Sequence, residues 1–301
     1  MEQNIYRSDS NVINREYINS ILFEERLIGA VEPDTSCEIF GRKYTSPVMM
    51  PAFSHLKVFG EGRKSGMIEY AEAAAKSGIL NWVGMVENEK FGEIAAVGAD
   101  TVRIIKPYAD KEKIMDQILY AKEAGAVAVG IDIDHTFGKD GRYDNVFGEG
   151  MTAQTVEDLE RYIQAAGLPF ILKGILSVHD AVCAQELGVS GIVVSQHSGR
   201  LPYAVPALKV LPRIVEALGE DSRMTIFVDG GIALGSDVFK CIALGAHAAS
   251  VGRVIMPDLE ERGVQGVMDY VEKMRQELAF TMGFTGFARV EDIDSSVLWN
   301  L

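Results

Sequence analysis

Cysteine is scarce in this sequence: Cys37, Cys183 and Cys241 are the only three among 301 residues. They are odd in number, widely spaced and form no CxxC pair, which argues against a disulfide framework or a zinc site and favours a reducing compartment. Positive charge is also short. Lys and Arg total 29 against 43 Asp and Glu, a formal net charge of −14. Such a surface repels a phosphate backbone, so nucleic acid is not an expected partner. No apolar run approaches the ~18–20 residues that cross a bilayer. The opening MEQNIYRSDSNVINR has no apolar stretch of the kind a secretory signal needs. The expectation is a soluble cytoplasmic protein without a membrane partner. An anionic ligand would have to be held by a few local cations or by backbone amides.

What the sequence does have is a repeated alternation. Eight short apolar runs stand at Val48–Pro51, Leu80–Gly84, Thr101–Lys106, Val127–Asp134, Pro169–Lys173, Gly191–Ser195, Thr225–Asp229 and Ala248–Gly252. Their near-continuous hydrophobicity suits parallel strands buried on both faces. Amphipathic windows lie between them at Met67–Ser77, Lys111–Ala124, Val156–Ala166, His179–Leu187 and Asp237–Leu244. Each is followed by a glycine (Gly78, Gly125, Gly167, Gly188, Gly245), the residue that ends a helix at positive φ. Eight βα units with no Pro-, Gly- or Ser-rich linker predict a single (β/α)8 TIM barrel over 1–301. Residues 1–45 would be an N-terminal segment closing the barrel bottom, and 264–301 a C-terminal helix and tail. An open doubly wound sheet is the rival, but no GxGxxG follows the first run.

In such a barrel the chemistry sits at the carboxyl ends of the strands. There the apolar runs stop on Ser54 and His55, Lys106, Asp132 and Asp134, Lys173, Ser195 through Arg200, Asp229 and Arg253. A charge ending a strand is most often the start of a solvated loop; the concentration of so many on one rim is what argues for a site. His197 offers a base, and Arg200, three residues on, a fork that grips a carboxylate bidentately. Asp229-Gly230-Gly231 and Gly252-Arg253 expose backbone amides and one cation where these barrels hold phosphate. Lys173 suits either a Schiff base or a positive charge against an electron-accepting ring. No metal ligand set is evident.

Together, LPFILKGILSVHDAVCAQELGVSGIVVSQHSGR, VPALKVLPRIVEAL and IFVDGGIALGSDVFKCIALGAHAASVGR resemble the FMN-dependent α-hydroxy acid oxidase family. The resemblance implies an FMN enzyme that oxidises a small, lactate-like L-2-hydroxy acid to the 2-keto acid and passes the electrons to oxygen or another acceptor. It implies a homo-oligomer, a tetramer in the family. By this likeness His197 is the base, Asp134 its carboxylate partner and Lys173 the cation that favours negative charge as the flavin gains electrons. Arg200 becomes the carboxylate clamp, with Lys106 and Tyr203 beside the substrate. Pro51, Ala52, Lys173, Ser195, Asp229, Gly230, Gly231, Gly252 and Arg253 would hold FMN.

Several positions depart from the family pattern. Ile104 and Lys106 replace a Gln-x-Tyr, Asp132 replaces a threonine and Ala233 an arginine. Phe53 stands where a small residue is usual, and a second substrate arginine aligns near Gly141, beside Arg142. The segment between the fourth and fifth runs, an active-site lid in the family, is short. The alternative reading is therefore a divergent FMN-binding flavoprotein whose oxidation activity is lost or redirected.

Overall fold

The computed structural model describes residues 9–301, and the first eight residues of the expected N-terminal segment lie outside them. Eight parallel strands form one sheet: β1 (Val48–Met49), β2 (Asn81–Val83), β3 (Thr101–Ile105), β4 (Ala128–Asp132), β5 (Phe170–Ile175), β6 (Gly191–Val194), β7 (Thr225–Val228) and β8 (Ala248–Ser250). Neighbours in the sheet run β1-β8-β7-β6-β5-β4-β3-β2. The remaining seam is closed between β1 and β2, where the Met50 amide donates to Leu80 O at 3.0 Å and Gly84 N to Phe53 O at 2.8 Å. The result is the (β/α)8 barrel expected from the eight runs.

A helix follows every strand: α2 (Gly66–Ser77), α3 (Asn88–Ala95), α4 (Lys111–Glu123), α5 (Val156–Ala166), α6 (Val178–Glu186), α7 (Ala207–Leu218), α8 (Gly235–Ala243) and α9 (Met256–Thr285), with α1 (Ser10–Ser20) ahead of the barrel. The five glycines after the predicted windows all lie at positive φ. Starts are set by side-chain caps: Asp110 accepts from the amides of Glu112 and Lys113, and Thr155 forms a capping box with Asp158. The span Met256–Thr285 is two helices joined at Gly263 (φ 59°, ψ −137°), and the second begins directly after this break, at the expected 264. Arg63 caps the break by donating to Leu259 O and Glu260 O.

Alternation along the strands gives the barrel two cores. Outward side chains such as Ile105, Val129, Ile131, Leu172, Val194 and Val228 pack against the helices. Inward ones (Met49, Trp82, Val102, Ile104, Ala128, Ile171, Val193, Phe227, Ala248) fill the interior. From below, this interior is plugged by the hairpin Cys37–Ile39/Arg42–Tyr44, whose Ile39 and Tyr44 join it. The N-terminal segment thus divides. Its hairpin closes the bottom as expected, whereas α1 lies against the loops after β6 and β7, at the opposite end of the barrel. Asn11 and Asn14 on α1 donate to Ser198 O and Gly230 O on those loops, and these bonds hold the helix at that end.

Candidate active site

The inward rows end in charge at the carboxyl rim. Lys173 on β5 sits directly opposite Asp132 on β4 in the parallel register, and β3 delivers Lys106 one residue beyond the Ile105–Ile131 pair. The three are buried together. Lys106 Nζ lies 2.5 Å from Asp132 Oδ2, and Lys173 Nζ lies 3.2 Å from Asp132 Oδ1 and 3.4 Å from Asp229 Oδ2. Lys106 is therefore not a free cation awaiting a substrate, as its position in the sequence suggested. Burying an ammonium demands a counter-charge, and Asp132 supplies it.

The loop after β6 carries His197. His197 and Ser198 both take positive φ (43° and 59°), a conformation that costs non-glycine residues energy and recurs where a side chain must be aimed. The turn is held by the Ser195 hydroxyl, which accepts from His197 N at 3.1 Å. His197 Nδ1 lies 2.6 Å from Asp134 Oδ1 and 3.2 Å from Asp132 Oδ1. Two carboxylate acceptors assign the ring proton to Nδ1 and leave Nε2 as the open lone pair. Burial by itself would lower the His197 pKa, but Asp132 and Asp134 outweigh it against Lys173, and the net direction is upward. Burial and the neighbouring Asp132 push the Asp134 carboxyl up, while Asp132, despite its own burial, is held well down by Lys173, His197 and Lys106. Asp132, Asp134 and His197 bring ligand atoms within 4.8 Å of one another. Two lysine ammoniums, those of Lys106 and Lys173, lie against the Asp132 member of this trio.

Arg200 points at the loop between β4 and α5. Its Nη2 donates to Asp144 Oδ2 at 2.7 Å and to Phe137 O at 2.5 Å. The same loop brings His135 to a ring-centroid distance of 5.0 Å from His197; burial and the cations Lys106 and Arg200 press the His135 pKa down to about 4, so this ring is neutral. Sequence reasoning missed Asp144 and His135, which lie in a polar segment without periodicity. Tyr203, expected beside the substrate, is 63% exposed and has no polar partner among the described residues. Pro51 O accepts from Tyr70 Oη, and Ala52, Lys173 and Asp229 line a small cavity beneath the rim.

At the ends of β7 and β8 the donors for a phosphate are free. Gly230 and Gly231 lie at φ 96° and 74°. Among the described residues their amides and that of Arg253 donate to nothing, and the exposed Arg253 guanidinium has no partner. Gly252 N is spent on Ile232 O. Helix α1 anchors the two glycines from behind. Asn14 Nδ2 donates to Gly230 O at 2.9 Å, and Arg15 Nη1 to Gly231 O at 2.9 Å while it pairs with Asp237. Nothing in the β7 segment itself announced this guanidinium, because its helix lies more than two hundred residues away in sequence.

The model of the family described as FMN-dependent dehydrogenase matches residues 3–152 and 138–300. The chain belongs to this family. An L-lactate oxidase of Lacticaseibacillus rhamnosus is 31% identical over 297 residues, covering 89% of this chain and 79% of that one. A 4-hydroxymandelate oxidase of Amycolatopsis orientalis is 30% identical over 312 residues, covering 92% and 86%. A solved mandelate oxidase variant carrying a monooxide FMN adduct superposes with a TM-score of 0.85 at 31% identity, covering 98% of this chain and 92% of that one. As a family member the protein is an FMN-dependent oxidoreductase. The donor set fits that cofactor: unpaired amides and a free guanidinium for a phosphate, and the Lys173 ammonium at the mouth of the barrel for the ring. Among the described residues no helix is long and apolar enough to cross a membrane.

Proposed function

We propose that this FMN enzyme oxidises a small L-2-hydroxy acid to its 2-keto acid. The observation that carries the reading is the His197 imidazole, held through Nδ1 by Asp134 at 2.6 Å, with a carboxylate-gripping guanidinium three residues on in the same loop. His197 Nε2 accepts a proton from the substrate, and the imidazolium so formed is stabilised by the carboxylates at Nδ1. FMN, when bound, would accept the electron pair together with the second hydrogen that the substrate loses. Arg200 orients the substrate carboxylate after exchanging Asp144 for it, and Gly230, Gly231 and Arg253 hold the phosphate. Lys173 keeps the ring edge in a positive field.

Purified protein should be yellow and bleach without oxygen on addition of one member of a panel of L-2-hydroxy acids. His197→Ala should retain the flavin and lose at least ~100-fold in reduction rate. Because the base must be neutral and its pKa is raised, the reduction rate should climb with pH through a midpoint above the ordinary histidine value of ~6.5. A yellow protein that no hydroxy acid bleaches would overturn the oxidation reading in favour of a redirected flavoprotein. Undiminished reduction by His197→Ala would overturn the assignment of the base.

A further inference from the structure

The rim holds more charge than a base, its partner and one flavin-facing lysine require. Asp132 is 3% exposed and Lys106 8%, and both are buried in the top layer of the barrel interior. As a pair they cancel, but their placement is asymmetric. The outer oxygen of Asp132 is taken by Lys106, whereas Oδ1 is shared between Lys173 Nζ and His197 Nδ1, 3.2 Å from each. Lys106 touches neither. At short range, therefore, both neighbours feel a carboxylate rather than a neutral pair.

We propose that Asp132 is a positioning residue: jointly with Asp134 it holds the Nδ1–H of His197, and it draws off part of the charge that Lys173 presents to the flavin, with Lys106 as its counter-ion. The proposal deepens the functional reading above and rests on it for the role of His197. The groups facing the imidazole are Asp132 and Asp134 from the end of β4, Lys173 from β5 and neutral His135 from the turn after β4, while Arg200 on its own loop is paired with Asp144. Burial and Lys173 work against the imidazolium, and the two carboxylates work for it, Asp132 first among them. One carboxylate thus sets the affinity of the base for its proton and, through Lys173, the affinity of the ring for electrons. Strengthening one weakens the other.

The test uses the full FMN-loaded chain with labelled histidine, the His197 signal being assigned with His197→Gln. Asp132→Asn leaves the Lys106 ammonium buried without its partner and can fail to fold, so Lys106→Met/Asp132→Asn is made beside it, with Asp132→Glu as the conservative variant. In Asp132→Asn, or in the double variant, the His197 titration should move down by about one pH unit, a tenfold change in its protonation equilibrium. The FMN midpoint potential should rise as Lys173 is released. Asp132→Glu should restore both toward the parent values. A folded double variant with His197 titrating as in the parent, or with an unchanged potential, overturns the proposal. Because neither readout needs turnover, failure of the hydroxy-acid reading would leave this result standing on its own.

Discussion

Gly174 ties the strand to the Asp134–His197 pair through a single missing atom. It sits at φ 99°, where the register of β5 against β6 shifts between Lys173 and Ile175, a bulge that re-aims the neighbouring side chain. A Cβ built on it would stand 2.4 Å from Cγ of Asp134. Glycine here permits the backbone angle and also leaves the space that the Asp134 carboxyl fills on its way to His197. Gly174→Ala should therefore push Asp134 off the imidazole. A displacement of ~1 Å at a catalytic partner costs on the order of 100-fold, so the flavin reduction rate should fall by about that factor while the bound flavin keeps its visible spectrum. Stopped-flow reduction checks it. A rate within twofold of the parent would mean that Asp134 does not orient the base.

The elements that complete the site are the two that the strand pattern says least about. The segment between β4 and α5 folds as a short turn (Ile133–His135) and a small hairpin (Asn145–Val146/Glu149–Gly150), with Phe137, Tyr143 and Phe147 exposed on it. Asp144 on this segment occupies Arg200, the only guanidinium in the His197 loop. If Arg200 is the clamp, Asp144 competes with a substrate carboxylate for the same fork. Asp144→Asn removes the competing charge, and one charge-assisted hydrogen bond of ~1.5–3 kcal/mol corresponds to about tenfold tighter binding of a carboxylate inhibitor. Titrating oxalate against the flavin spectrum measures it. Weaker binding would mean that Asp144 positions Arg200 instead of competing with the ligand. Helix α1 acts on the other side, tying the loops after β6 and β7 together through Asn11, Asn14 and Arg15.

Across the whole molecule, charge and stability are separated along the barrel axis. The carboxyl rim carries the buried lysines and aspartates, while the lower interior is apolar and sealed by the Ile39/Tyr44 hairpin. Damage at the bottom should reach stability and not chemistry. Ile39 is 3% exposed, and truncating such a side chain typically costs ~2–5 kcal/mol. Ile39→Ala should lower the thermal midpoint by several degrees, while the folded protein keeps its flavin spectrum and its reduction rate. Calorimetry and stopped-flow measurement on the same sample check it; an altered rate would show that the plug communicates with the rim.

The sequence by itself determined the eight strands, the helices that glycine terminates and the residues on which the strands end. These are local properties: hydrophobic continuity, side-chain periodicity and positive-φ tolerance are written in adjacent residues. It therefore made His197, Asp134, Lys173, Arg200 and the loops Asp229-Gly230-Gly231 and Gly252-Arg253 legible as one rim. Only the tertiary structure decided who holds whom. Lys106 reads as a free cation until barrel register puts Asp132, 26 residues later, against it. Arg200 reads as an open clamp until the segment between β4 and α5 lays Asp144 on it from 56 residues away. Arg15 has no role at all until α1 folds back over the rim, 216 residues from Gly231. Charge identity is local, but charge balance is a sum over neighbours in space, and closure of the barrel is what chooses those neighbours.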